Sequence, residues 1–160
     1  MFKAITNSEL REKIVEFALK QHYKAYKHGS HGPDTFDCAG LVWYVYNEIL
    51  GINLYEGNWK STTTRIMKSK YGTLTCFDED VLDKDLSLIK KGDILLFHRQ
   101  GEFEVNQKLD NKYPGHCGIY LGDNKFIHAP RNKGKVIIKS FAKSEYWTRK
   151  LIASKNIIKD

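Results

Sequence analysis

The sequence predicts an α+β domain, and three observations carry that class. Two stretches near the N-terminus space their apolar residues at helical intervals, five short β-rich runs follow Gly92, and turn residues separate several of those runs closely enough for antiparallel pairing. The expected architecture is N-terminal helices packed on a C-terminal antiparallel sheet of about five strands. With 160 residues, 41% hydrophobic and 12% aromatic, the chain can bury one sizeable core, so residues 1–160 are expected to form a single domain.

Taken in order, Thr6 followed by Glu9 has capping-box spacing, and Leu10, Ile14, Phe17 and Ala18 then repeat as on one helical face, which predicts a helix over 7–22. Residues 27–37, KHGSHGPDTFD, carry turn chemistry and read as a loop. A second helix starts at about Asp37, with Leu41, Val42, Val45, Tyr46, Ile49 and Leu50 on a broad apolar stripe and Gly51 placed to end it. Ser61 is the candidate cap of a short helix through Lys70, and the charged stretch up to Gly92 reads as irregular connection. The strands are expected at 93–98, 116–122, 125–129, 135–141 and 148–154, with Gly122, Asp123 and Asn124 as a hairpin turn and 99–114 as an exposed loop. No internal repeat or low-complexity segment interrupts this order.

The formal charge of +7 is scattered, with denser basic runs at Arg131, Lys133 and Lys135 and at Arg149 and Lys150. A solvated basic face explains it, and attraction to a polyanion such as a bacterial wall is the sharper reading. With no RNA-binding signature, zinc finger or phosphate-cradling loop, nucleic acid is not an expected partner. No stretch approaches the ~20 apolar residues of a membrane span, and the N-terminus breaks its apolar residues with charge. The expectation is a soluble, monomeric chain made in the cytoplasm without a signal peptide; phage association or export by a non-standard route are both compatible with that.

Cys38, Cys76 and Cys117 show no CxxC spacing and are odd in number, so neither a disulfide framework nor a typical zinc site is suggested. Cys38 falls in the first turn of the second helix, where unpaired N–H groups and the helix dipole favour an anion and so a thiolate. The alternative is a small buried residue at a helix start. Asp37 would by itself raise the thiol pKa, a conflict removed if its carboxylate points away, toward a substrate amine. Ala39 and Gly40 are small enough to let a substrate carbonyl approach the backbone N–H groups that would hold an oxyanion.

A thiolate nucleophile needs a base. His116 and His128 lie six residues either side of Gly122, so a turn centred there sets them opposite one another on one face of a hairpin. Cys117, Ile119, Leu121, Ile127 and Ala129 then share the other, apolar face, and Cys117 reads as core. A turn shifted by two residues keeps the shared face but offsets the pair. Half-buried surface histidines and a metal site are the rival readings; the second lacks a third ligand on this hairpin. His22, His28 and His31 are explained by exposure.

These residues carry a family resemblance. FDCAGLVWYVY, KKGDILLF and HCGIYLGDNKFIHAP occur in the order of the three signature blocks of the NlpC family of papain-like cysteine peptidases, which cut peptidoglycan stem peptides, and YKHG at Tyr26 fits the family's Y-x-x-G. The resemblance extends from about Tyr26 to Trp147 and implies a papain-like fold with no cofactor and no metal. It implies that Cys38 is the nucleophile, His116 the general base and His128 the polar third member of a triad. It also implies that Tyr26, Asp37, Ala39 and Gly115 form the oxyanion and substrate-binding region, with Asp37 receiving the free amine of an L-alanine-terminated stem peptide. The implied reaction is cleavage of the γ-D-glutamyl to diamino acid amide through a thioester.

The chain departs from the family pattern at several places. Ala39 replaces a serine, Cys117 a valine or isoleucine and His98 a phenylalanine, and the interval from Cys38 to His116 is long, which implies insertions within 55–90 or 99–114. Two other functions remain open on this reading: a catalytically weak wall-binding or phage assembly module, and a papain-like amidase or acyltransferase acting on another substrate.

Overall fold

The computed structural model describes residues 4–98 and 114–159. Thr6 and Glu9 form the reciprocal capping box that opens α1 (Asn7–Leu19). The helix ends at Leu19, short of residue 22, and Tyr23 takes a left-handed φ of 71° that no α-helix continues. A short parallel pair, β1 (Ala25–Tyr26) and β2 (Thr35–Phe36), lies outside the main sheet and leads into α2 (Cys38–Leu50). Gly51 closes α2 at φ 67°, as its position predicts. Ser61 caps α3 (Thr62–Lys68).

Six strands form the main sheet, one more than expected: β3 (Thr73–Cys76), β4 (Ile94–His98), β5 (Pro114–Gly122), β6 (Lys125–His128), β7 (Ile137–Ser140) and β8 (Leu151–Asn156). Their order is β3-β8-β4-β5-β6-β7, antiparallel throughout. The added strand, β3, is four residues long with Thr73, Leu74 and Cys76 exposed, so it has no hydrophobic alternation to read; it is specified by pairing with β8 at the sheet edge. A second correction concerns 148–154. Ser144 caps a helix, α4 (Glu145–Lys150), with Glu145 in its first turn and Arg149 and Lys150 in its last, and the strand begins only at Leu151. The loop expected at 99–114 lies outside the described residues except for Pro114, which opens β5.

The central strands are buried on both faces. α1 and α2 cover one, where Ile14, Ala18, Leu41, Val42, Val45 and Tyr46 pack on Ile94, Leu96, Ile119 and Ile127. Burying each of the larger side chains contributes about 1.5–3 kcal/mol. The other face carries a second cluster of Leu95, Phe97, Tyr120, Phe126, Phe141, Trp147 and Leu151. Two polar ties join the helical layer to the β4 end of the sheet. The Tyr46 hydroxyl donates to the Gly92 carbonyl. Arg11, buried on α1, pairs with Asp93 at 3.0 Å and donates to the carbonyls of Lys91 and Ile158 and to Asn156.

Arg11→Ala strands Asp93, only 1% exposed, without its cation. The expected result is a loss of about 3–5 kcal/mol in unfolding free energy, measured as a lower urea midpoint at unchanged m.

Candidate active site

The D-C-A-G tetrad is built as a helix tip. Asp37 is the N-cap of α2: one carboxylate oxygen accepts the Gly40 N–H at 2.6 Å, the other the Gly29 N–H at 3.0 Å. The Asp37 N–H donates to the Ser30 carbonyl at 2.8 Å. A Cβ on Gly40 would sit 2.0 Å from that carbonyl oxygen, so position 40 must be glycine for the 29–31 loop to close on the helix. This revises two expectations. The small size of Gly40 serves loop packing, and its N–H is occupied by Asp37. Ala39 buries its methyl in the core, so what it can offer the site is its backbone N–H.

Cys38, half-buried at this tip, has its thiol pKa held well below the ordinary value. The first cause is a hydrogen bond from the Cys117 thiol; burial opposes it, and the charge and hydrogen bonding of His116 add to the lowering. Cys117, fully buried, is pushed the other way by burial and by the Cys38 sulfur, so it is the protonated partner. Cys117 is therefore core, as expected, on the face of β5 that α2 covers.

The hairpin register differs from the expected one by two residues. Asp123 and Asn124, at φ 50° and 61°, make the tight turn, and Ile119 faces Ile127 while Tyr120 faces Phe126. His128 therefore lies beside Gly118 instead of opposite His116, with the two histidines diagonal on one face. Their rings meet across that diagonal at 85°, and His116 Nε2 lies 2.7 Å from His128 Nδ1. A Cβ at Gly118 would approach the Ile127 carbonyl oxygen to 2.8 Å and His128 Cβ to 3.2 Å, so the diagonal requires glycine there. Burial first, then the charges of His116 and Lys139, holds the His128 pKa well below the ordinary histidine value. His128 stays neutral and keeps one lone pair. Assigned from this network, that lone pair is on Nδ1 and accepts the His116 Nε2–H, which leaves His116 Nδ1 for the sulfur.

A cysteine at a helix tip followed by two strand histidines places the chain among known proteins. The NlpC/P60 family model matches residues 23–156. The chain belongs to the NlpC/P60 family. It is 28% identical over 141 residues to the murein DD-endopeptidase MepH of Escherichia coli, covering 88% of this chain and 43% of that protein. It is 31% identical over 159 residues to the gamma-DL-glutamyl hydrolase of Bacillus subtilis, covering 99% and 32%. NlpC1 from Trichomonas vaginalis superposes with a TM-score of 0.69 at 25% identity, covering 99% and 48%. The chain thus spans about a third to a half of the length of these relatives, and the likeness confirms the NlpC/P60, papain-like fold.

Around this NlpC/P60 centre the remaining candidates are distributed unevenly. Tyr26 is half-buried, and burial, then Cys38 and Asp37, raise its hydroxyl pKa, so it remains a donor; Arg131 opposes the rise. Gly115 is half-buried immediately before His116. The Asp37 carboxylate, its own pKa raised by burial, is committed to the helix cap, although two accepted bonds do not exhaust its roughly four acceptor positions. His98 instead pairs with Glu79 at 2.5 Å, away from the imidazole pair. Three neighbours were not anticipated. Tyr55 has its pKa raised by burial and then by Asp37, Cys117 and Cys38. Trp147 flanks both imidazoles with ring centroids 4.9 Å from each. α3 is tied to the start of β5 by a 2.8 Å bond from the Thr63 hydroxyl to the Pro114 carbonyl, so the long interval before His116 supplies a wall beside it.

Labelling with iodoacetamide at about pH 6 is expected to modify Cys38 at least ~10-fold faster than Cys76 or Cys117, read by peptide mass mapping. Gly118→Ala is expected to displace His128 and lower the Cys38 rate part of the way toward that of exposed Cys76, with the fold retained by circular dichroism.

Proposed function

We propose that the chain is a cysteine endopeptidase that hydrolyses the γ-D-glutamyl to diamino acid amide of peptidoglycan stem peptides through a thioester on Cys38. The observation that carries this reading is the 2.7 Å contact between the rings of His116 and His128, with His116 helping to hold down the Cys38 thiol pKa, in a member of the NlpC/P60 family. Its relatives include a murein endopeptidase and a gamma-DL-glutamyl hydrolase by name, which supports the polymer and the amide class.

The thiolate of Cys38 attacks the γ-carbonyl carbon, and the developing oxyanion is held by N–H groups at the tip of α2 and the Tyr26 hydroxyl. His116, protonated at Nδ1 when the thiolate forms, gives that proton to the departing amine of the diamino acid. His116 then takes a proton from water, whose oxygen attacks the thioester and frees the glutamyl carboxylate and Cys38. His128, kept neutral by burial, accepts from His116 throughout and fixes its ring. The outer side of the Asp37 carboxylate receives the amine of the L-alanine. The basic face suits an anionic wall polymer.

Digestion of purified peptidoglycan, followed by mass spectrometry, tests both parts of this reading. The wild type is expected to release fragments with a new amine on the diamino acid, and Cys38→Ala none. A new amine only at a D-alanyl cross-link would overturn the bond assignment, and no cysteine-dependent product at all would overturn the peptidase reading. His116→Ala should lose about 10²–10⁴ in kcat, and combining it with Cys38→Ala should cost nothing further beyond the single change. Because the Cys38 pKa is depressed, the attacking form persists as pH falls below the ordinary thiol range. The kcat/KM profile should therefore have an acid limb well below that range, moving to higher pH in Cys117→Val.

A further inference from the structure

We propose that a ridge of Lys27, Arg131, Lys133 and Lys135 beside the Cys38 helix tip holds carboxylates of the peptidoglycan stems that flank the one being cut. The inference rests on the peptidoglycan reading above and adds to it a second, non-catalytic surface. It is carried by where folding puts the charge. Residues 17–33 hold three lysines and residues 124–144 hold five lysines and one arginine, with no Asp or Glu in either stretch. These nine cations exceed the formal excess of +7, so the rest of the chain is net negative and the whole positive surplus lies in two stretches.

The two stretches meet in space. The Tyr23 N–H donates to the Val136 carbonyl at 2.9 Å, the Val136 N–H to the Lys24 carbonyl at 2.8 Å and the Tyr26 N–H to the Gly134 carbonyl at 2.8 Å, with Ala25 facing Lys135 across an antiparallel bridge. This ladder adjoins the site from both directions. Tyr26 pairs with Phe36, two residues before Cys38, and the Arg131–Lys133 turn begins three residues after His128. Lys27, Arg131, Lys133 and Lys135 are all exposed. Among the described residues none of the four forms an ion pair. The Lys135 ammonium instead lies 5.1 Å from the centroid of the Tyr23 ring.

Like charges gathered without a counter-charge repel one another in the unbound protein, and a bound anion relieves that cost. The proposed substrate supplies the anion. A γ-linkage leaves the α-carboxylate of each glutamyl residue free, and each stem ends in another carboxylate, so the polymer repeats anionic groups on both sides of the stem in the cleft. One exposed charge pair contributes little and is screened by salt, but four cations facing a repeating polyanion act together. Arg131 is close enough to the Tyr26 hydroxyl to oppose the rise in its pKa, which sets the inner end of the ridge at the oxyanion region. The ridge therefore favours the polymer over an isolated stem peptide.

The test uses the full chain carrying Cys38→Ala, so that binding is read without cleavage, and measures co-sedimentation with peptidoglycan stripped of phosphate-bearing polymers. Adding Lys27→Gln, Lys133→Gln and Lys135→Gln together is expected to weaken binding about tenfold at low salt. Lys13→Gln, Lys60→Gln and Lys159→Gln together remove the same charge from exposed positions elsewhere and should change it less than about twofold. Raising salt from about 0.01 M to about 1 M, which shortens screening from about 30 Å to about 3 Å, should erase the difference between the intact ridge and its variant. Equal weakening by the two triple variants would overturn the proposal, because net charge alone would then suffice. So would an absence of binding, or ridge dependence confined to walls that keep their phosphate polymers. The salt response is also read with the ridge intact, where salt-insensitive binding overturns the proposal even if a triple variant does not fold. Release of new amine ends by the wild type is scored separately, so failure of the ridge and failure of the peptidase reading are told apart.

Discussion

The site depends on one piece of docking: the first turn of α2 set against the middle of β5. Asp37 closes the helix tip with one oxygen and holds the preceding loop with the other, and Gly40 leaves room for the Ser30 carbonyl. Two turns further on, the Tyr46 hydroxyl reaches Gly92 at the entrance to β4. The Asp37 bonds thus fix the tip of the helix to the loop before it, and the buried Tyr46 bond ties the helix to the sheet. The apolar stripe between them supplies the bulk of the adhesion. Apolar contact alone would permit sliding along the strand; the directional Tyr46 bond restricts that freedom. A sulfur on the first helical residue then has a defined position.

The electrostatics follow from which ring can hold a proton. Two imidazoles 2.7 Å apart cannot both be cations, and burial decides between them. His128 lies 1% exposed, with Phe126 and Trp147 against it, and is held neutral. If it were protonated, both of its nitrogens would be donors and Nδ1 would confront the His116 Nε2–H with like polarity. The aromatic cluster on the far face of the sheet therefore reaches into the imidazole pair: by withholding water from His128 it keeps that ring neutral and able to accept from His116.

Local features were legible in the sequence wherever a short-range rule covers them. Thr6 with Glu9, Asp37 before the apolar stripe, Gly51 after it and Asp123-Asn124 in the hairpin all act within a few residues. Parity along a strand is of the same kind. That is why the shared face of His116 and His128 survived a register two residues away from the expected one, and why Cys117 was rightly placed in the core. What stayed hidden depends on partners far along the chain. β3 exists only through β8, and Tyr55 and Trp147 reach the site from separate segments that no spacing rule ties to Cys38. The capping residues of α4 were present in the sequence, but β-favouring residues around Thr148 drew the strand too far back. The small side chains of Ala39 and Gly40 suggest room for substrate, whereas one faces the core and the other the preceding loop.

His116 and Cys117 are joined by a single peptide and point to opposite faces of the sheet, and both lower the pKa of the Cys38 thiol. One face supplies the imidazole, backed by aromatic rings; the other supplies a thiol from beneath the helix. The Cys38 thiol is therefore tuned by two consecutive residues of one strand. A slip of β5 by one residue would turn each side chain onto the wrong face, so the register carries the chemistry as well as the fold. Gly118 and the bulge before Gly122 hold that register, the first by admitting His128 close to β5 and the second by absorbing the extra residue before the turn. Substituting cysteine for an aliphatic residue at 117 leaves this arrangement almost unchanged in volume. What changes is the polarity beneath the sulfur: an apolar floor becomes a hydrogen-bond donor, and an anion that would otherwise rely on His116 and the helix tip gains a third source of stabilisation.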